Sequence, residues 1–254
     1  MNASPAKASL SSKLRFCAGF SVVVITALIY FPIVLLFLPW RGIRIRMGNI
    51  YGHIVGPAVL KAIGVRATVA NRERINGSQP AIYLSNHSTG LDPMLAIWLC
   101  PIGGCGISKK QIARVPFFGQ AYFLSGHLLI DRSNREKAIA SMKEAAELVR
   151  KHRLSLWIWP EGTRSADGRL MAFKKGFVHL AVETGLPIIP VVVHEGHLRW
   201  PARSFAISPG PCRIDVLEPI STEGWTVENL GKHLEDIHAI FNDALGEEQK
   251  ALET

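Results

Sequence analysis

The stretch Ala81-Ile82-Tyr83-Leu84-Ser85-Asn86-His87-Ser88-Thr89-Gly90-Leu91-Asp92-Pro93 decides the fold class. A short apolar run of strand composition leads into a polar turn. Asp92-Pro93 then reads as a helix start, an acidic cap followed by proline at the first helical position. A strand that opens through a turn into a helix is the unit of an α/β sheet, and such sheets present ligands where their strands end.

Outward from this stretch the same alternation continues. Strands are expected at 127–130, 154–159, 187–193 and 213–217, in addition to 81–85. Helices are expected between them. One spans 134–152, with Ser133 and Glu136 at capping-box spacing and Ile139, Met142, Ala146 and Val149 on a core-facing stripe. Another covers 173–184 and ends at Gly185, and Leu230, Leu234, Ile237, Phe241 and Leu245 mark an acidic C-terminal one.

Upstream the composition changes. Residues 16–40 carry no formal charge and, as a helix rising about 1.5 Å per residue, are long enough to span a bilayer core of roughly 30 Å. Pro32 and Pro39 interrupt the run. Lys13 and Arg15 before it are matched by Arg41, Arg44 and Arg46 after it, so the flanks give no orientation and fit a re-entrant hairpin. The run is longer than a signal-peptide core and lacks a small-x-small cleavage site. A weaker apolar stretch at 47–64, spoiled by glycines and Pro57, is expected as a second membrane-surface helix.

Of the chain's 254 residues, the first 80 hold ten Lys and Arg against the single acid Glu73, so the whole formal net charge of +9 lies there. Residues 81–215 are basic and 216–254 acidic. A basic sheath favours phosphate-bearing lipids, an anionic bilayer or nucleic acid. With 48% hydrophobic and 19% charged residues, the chain is neither disordered nor a multi-span transporter. Cys17, Cys100, Cys105 and Cys212 are widely spread, which implies no disulfide framework or zinc site and fits reduced thiols facing a cytosol.

His87 is a candidate general base, because imidazole titrates near neutrality and can take a proton from an alcohol. Asp92, five residues on, can bond the other ring nitrogen if the segment is a turn; it can equally serve as the helix cap alone. Pro160-Glu161-Gly162-Thr163-Arg164-Ser165 follows the strand at 154–159 and offers backbone N–H groups, a hydroxyl and a guanidinium suited to phosphate oxygens; a plain polar turn is the bland alternative. Gly126-His127-Leu128-Leu129-Ile130-Asp131-Arg132 sets an Asp-Arg pair at a strand end. Lys109, Lys110, Lys174 and Lys175 add cations.

Taken in order, these blocks resemble those of the glycerolipid acyltransferase family, in its bacterial 1-acyl-sn-glycerol-3-phosphate (lysophosphatidic acid) acyltransferase branch. The resemblance spans about residues 80–195 and four motifs: the Asn86–Asp92 block with Thr89 where serine is usual, 126–132 with Leu128-Leu129 for an Ile-Phe pair, 160–165 after Trp159 rather than phenylalanine, and Leu186-Pro187-Ile188-Ile189-Pro190-Val191. It implies an α/β fold, a single domain with a central mixed sheet flanked by helices. Residues 1–66 would form a basic, membrane-anchoring helical segment and 67–254 the acyltransferase domain with its acidic C-terminal helix.

The resemblance further implies that His87, oriented by Asp92, deprotonates a lysophospholipid hydroxyl that attacks an acyl thioester, giving phosphatidic acid. Arg132, Glu161, Gly162, Thr163 and Arg164, with Lys109, would hold the phosphate-bearing acceptor. The expected co-substrate is acyl-coenzyme A or acyl carrier protein, with no cofactor, metal or nucleic acid, at the inner membrane with the catalytic domain facing the cytoplasm. Other readings are acylation of another lysolipid such as a lyso-ornithine lipid, a hydrolase built on Ser88, Ser125 or Ser165, and a non-catalytic binder of anionic membranes. The hydrolase lacks a G-x-S-x-G elbow. His194-Glu195-x-His197 is one residue short of the zinc-helix spacing and follows a strand, so these are expected as polar loop residues.

Overall fold

The computed structural model describes residues 9–75, 80–114, 118–131 and 134–252. Seven strands form one sheet: β1 (Val65–Ala70), β2 (Ile82–Ser85), β3 (Gly104–Lys109), β4 (Leu128–Ile130), β5 (Ser155–Ile158), β6 (Ile188–His194) and β7 (Gly210–Val216), in the order β1-β7-β6-β2-β5-β3-β4. β6, β2, β5, β3 and β4 run parallel. β7 pairs antiparallel with β6 and parallel with β1, which makes the sheet mixed. β2 and β5 are buried along their whole length, as strands covered on both faces must be.

Helices cover both faces. On one side lie α1 (Leu10–Leu35), α2 (Arg41–Ala62) and α3 (Asp92–Leu99); on the other α5 (Arg135–His152), α6 (Gly176–Thr184) and α8 (Leu230–Ala244), with the short α4 (Phe118–Leu124) and α7 (Gly196–Arg199) in connections. Each face has its own apolar core. Val55, Val59, Leu95 and Leu99 meet Tyr83 and Ile214 in one; Ala146, Val149, Phe177 and Phe241 meet Leu84, Leu156 and Val192 in the other. The cap of α5 is Asn134, whose side chain accepts from Lys137 N–H at 2.8 Å, rather than Ser133, which lies outside the described residues.

The N-terminal region is an antiparallel helical hairpin. α1 continues through Pro32, and the turn at 36–39 reverses the chain. α1 and α2 meet through Tyr30 stacked on Tyr51 and a 3.0 Å bond between the Thr26 and Tyr51 hydroxyls. Most of the apolar surface of α1 faces outward, and the helix is long and apolar enough to cross a membrane.

α2 is seated on protein. Its buried face packs on α3, and the glycines that spoil its apolar periodicity permit the approach: a Cβ on Gly56 would stand 2.7 Å from Met94 O and from Trp98 Cβ. Buried Asn49 accepts from Gly103 N–H at 2.8 Å and donates to Gly104 O at 2.9 Å, which locks α2 to the start of β3. Arg41 and Arg44, flanking cations by sequence, donate to the carbonyls of Gly126 and Leu124 at 2.8 and 2.7 Å. Leucine at position 49 would strand two buried backbone groups, so Asn49→Leu is expected to destabilise the fold by roughly 2–4 kcal/mol, read by chemical denaturation in detergent.

Candidate active site

From β2 the chain moves out to β3 and β4 on one side, returns to β5 beside β2, and then crosses to β6 on the other side. β2 is thus the point where strand order reverses, and the crevice at its carboxyl end is where an α/β sheet takes a ligand. The turn leaving β2 carries His87, and the turn leaving the adjacent β5 carries Glu161 to Arg164. Strand adjacency therefore joins two blocks that lie more than seventy residues apart.

His87 Nδ1 donates to Asp92 Oδ2 at 2.7 Å. A carboxylate can only accept, so Nδ1 carries a proton, and in the neutral ring Nε2 then presents its lone pair. Asp92 is the first residue of α3, and its carboxylate caps nothing in that helix; Oδ2 turns back to accept Thr89 N–H at 3.0 Å. Trp159 stacks on the imidazole with ring centroids 4.6 Å apart and planes 18° from parallel. The His87 side chain keeps 14% of its surface exposed.

Glu161 is 1% exposed and turned inward, where Oε1 accepts His87 N–H at 2.7 Å. Burial pushes its carboxyl up to about 8; the His87 N–H opposes the shift and the charge of Asp92 adds to it. The residue therefore braces the His87 backbone as a protonated acid at neutral pH. Gly162 adopts φ +72°, the left-handed region that favours glycine, and its N–H donates to Trp159 O at 3.1 Å. Ser165 N–H donates to His87 O at 2.8 Å and ties the two turns together.

Thr163 and Arg164 are half-buried, and among the described residues neither their side chains nor their backbone N–H groups have a hydrogen-bond partner. A hydroxyl, a guanidinium and two N–H groups thus remain for a ligand on the turn bonded to the His87 backbone, a set matched to phosphate oxygens. Lys109 ends β3 opposite Ile130 of β4, at the same end of the sheet. Arg132 lies outside the described residues. Lys174, held to the second turn by its N–H on Pro160 O at 2.8 Å, lays its stem over Gly162.

Two residues that sequence reasoning left without a role organise this site. Buried Asn86 donates to Val193 O at 2.9 Å and accepts Val193 N–H at 2.8 Å, fastening the end of β2 to β6. Thr89 Oγ1 lies 2.8 Å from both the Gly196 and the Trp200 carbonyls. A polar residue closing an apolar strand was the available signal, since a buried amide must find partners. Of the serines offered for a hydrolase, Ser125 bonds the Tyr30 hydroxyl at 3.1 Å at the amino end of β4, Ser165 bonds Asp167 at 2.8 Å, and Ser88 is buried in the His87 turn with its hydroxyl unpartnered among the described residues. His194 bonds Asp215 at 2.9 Å, and among the described residues no group of three His, Cys, Asp or Glu side chains is placed to hold a metal.

A carboxyl that ionises near 4 when unfolded and near 8 when folded binds more protons in the fold between those values, so its contribution is complete below about pH 4 and lost as pH rises through 8. Stability should fall across pH 5 to 8 by up to about 1.4 kcal/mol per unit from this group alone. Glu161→Gln should flatten that slope, measured by thermal unfolding in detergent from pH 5 to 9.

The acyltransferase family model matches residues 66–194. A 1-acyl-sn-glycerol-3-phosphate acyltransferase from Limnanthes alba is 44% identical over 243 residues, covering 96% of this chain and 86% of that protein. The protein of that name from Escherichia coli is 38% identical over 143 residues, covering 56% of this chain and 58% of its own. The crystal structure of the 1-acyl-sn-glycerophosphate (LPA) acyltransferase of Thermotoga maritima superposes with a TM-score of 0.73 over 89% of this chain and 92% of that one; at 22% identity it speaks for the fold. The chain belongs to the acyltransferase family.

Proposed function

We propose that the protein transfers a fatty acyl group from an acyl thioester to the free hydroxyl of 1-acyl-glycerol-3-phosphate, giving phosphatidic acid. The observation that carries this reading is the 2.7 Å bond from His87 Nδ1–H to Asp92, which leaves Nε2 as a base beside unpartnered Thr163 and Arg164. Nε2 takes the acceptor's hydroxyl proton as its oxygen bonds to the thioester carbonyl carbon. When the carbon–sulfur bond breaks, the imidazolium returns that proton to the departing thiolate of coenzyme A or acyl carrier protein. A thioester is already activated, so positioning and base catalysis suffice and no acyl-enzyme is needed. Asp92 holds the tautomer and offsets the imidazolium charge.

In this reading Arg164 and the Thr163 hydroxyl and N–H hold the acceptor phosphate, with Lys109, at the end of β3, and Arg132 supplying further positive charge. Gly162 allows the turn its shape, and Glu161 acts from behind His87. Within residues 1–66, α1 serves as the membrane anchor: its outward apolar face supports attachment to a membrane, assigned here to the inner membrane with the catalytic domain in the cytoplasm.

Free-thiol release from oleoyl-coenzyme A, run against lysolipids with and without phosphate, tests the proposal. His87→Ala should lower turnover by about 10²–10⁴-fold while leaving vesicle adhesion intact. Arg164→Ala should raise KM for phosphate-bearing acceptors by roughly 10–100-fold, the loss of a charged hydrogen bond. Thiol release indifferent to every lysolipid, or equal in wild type and His87→Ala, would overturn the assignment.

A further inference from the structure

The segment formed by α7 and its connection to β7, residues 196–208, is held on two sides. Toward the site, Gly90 N–H donates to Trp200 O at 2.8 Å, Thr89 Oγ1 reaches the Gly196 and Trp200 carbonyls, and Thr89 and Pro201 form a β-bridge. Toward the hairpin, Ser12 Oγ donates to Ile207 O at 3.0 Å, and Phe16 of α1 meets the rings of Trp200 and Phe205 edge-on at 6.1 and 4.9 Å. The catalytic turn and the apolar helix thus share one intermediary.

Between these attachments Phe205 is 59% and Leu198 45% exposed, and on α1 the exposed Phe20 stacks on Phe16. Lys13 of α1 and Arg203 of the segment are also exposed. Apolar side chains that extend the outward face of a bilayer-facing helix, with cations interspersed, have the composition of a membrane interface: acyl chains take the former and lipid phosphates the latter. Neither hydrogen bonding to the His87 turn nor packing against Phe16 calls for an exposed ring at 205.

We propose that the 198–205 loop enters the phospholipid bilayer beside α1, with Leu198 and Phe205 among acyl chains and Arg203 and Lys13 at the phosphates. The inference rests on the membrane attachment proposed above and adds to it where the reaction meets the lipid. The His87 turn is hydrogen-bonded to an element seated in the leaflet, so an acceptor lipid presents its hydroxyl to Nε2 while its acyl chain stays in the bilayer.

Of the four cysteines only Cys17 is exposed, so a Cys17→Ser background accepts a single labelled site. In full-length protein reconstituted into phosphatidylethanolamine–phosphatidylglycerol vesicles, a fluorophore on Phe205→Cys should be quenched by lipids brominated on the acyl chain and shielded from aqueous iodide. Labels on Ile25→Cys of α1 and on Glu223→Cys, distant from the hairpin, set the two limits. Lipid quenching at 25 with iodide quenching at 205 overturns the loop proposal and leaves the anchor standing; iodide quenching at both overturns both. A Leu198→Ser/Phe205→Ser variant should lose about tenfold or more in activity on vesicle-borne acceptor, the cost of withdrawing two apolar side chains from lipid, and keep its turnover of a monomeric short-chain acceptor. Equal loss on both acceptors would also overturn the loop's role.

Discussion

A lone imidazole is a mediocre base with two equivalent ways to carry its proton; the bond from Nδ1 to Asp92 removes that ambiguity, and much of the neighbouring architecture maintains it. The turn between β2 and α3 is only a few residues long and is fastened at nearly every one: Asn86 to β6, the His87 backbone to Glu161 and Ser165, and Thr89 to the segment before β7. A turn so tethered fixes the His87 backbone, and the Asp92 bond with the Trp159 stack fixes the ring on it. Geometry of this kind is what effective base catalysis requires, because the proton acceptor must stay aimed while substrates come and go.

The electrostatics follow from the same crowding. Asp92 is buried and so is Glu161, and two buried carboxylates in one small volume would repel each other as well as lack water. Keeping Glu161 protonated leaves one negative charge, the one that faces the imidazole. In the proposed reaction the acid then braces a backbone N–H without competing for a positive charge on the ring or repelling a phosphate at Arg164.

Much of this was readable in the residues. Five strands and the order of elements follow from short apolar runs ending in turn chemistry, and the His87–Asp92 pairing from a spacing that only a turn makes workable. β1 and β3 were hidden for physical reasons. β1 is an edge strand whose Arg66 and Thr68 face solvent, so it lacks an apolar run; β3 begins Gly-Cys-Gly, whose glycines signal a loop, though Asn49 holds its start from outside. The α2 glycines looked like breaks in a helix and are its contact surface with α3. Contacts made through folding rather than spacing, such as Trp159 against His87 and Asn86 with Val193, leave no periodic trace.

The clasp made by Asn49, together with the close seating of Gly56 on α3 and the arginines bound to carbonyls near α4, has a further consequence. What reads as a detachable anchor is one wall of the enzyme's own interior. A soluble version could not be had by trimming the first sixty residues, because the cut would bare Leu95, Leu99 and Tyr83 to water. In this architecture the hairpin that carries the outward apolar face is also part of what folds.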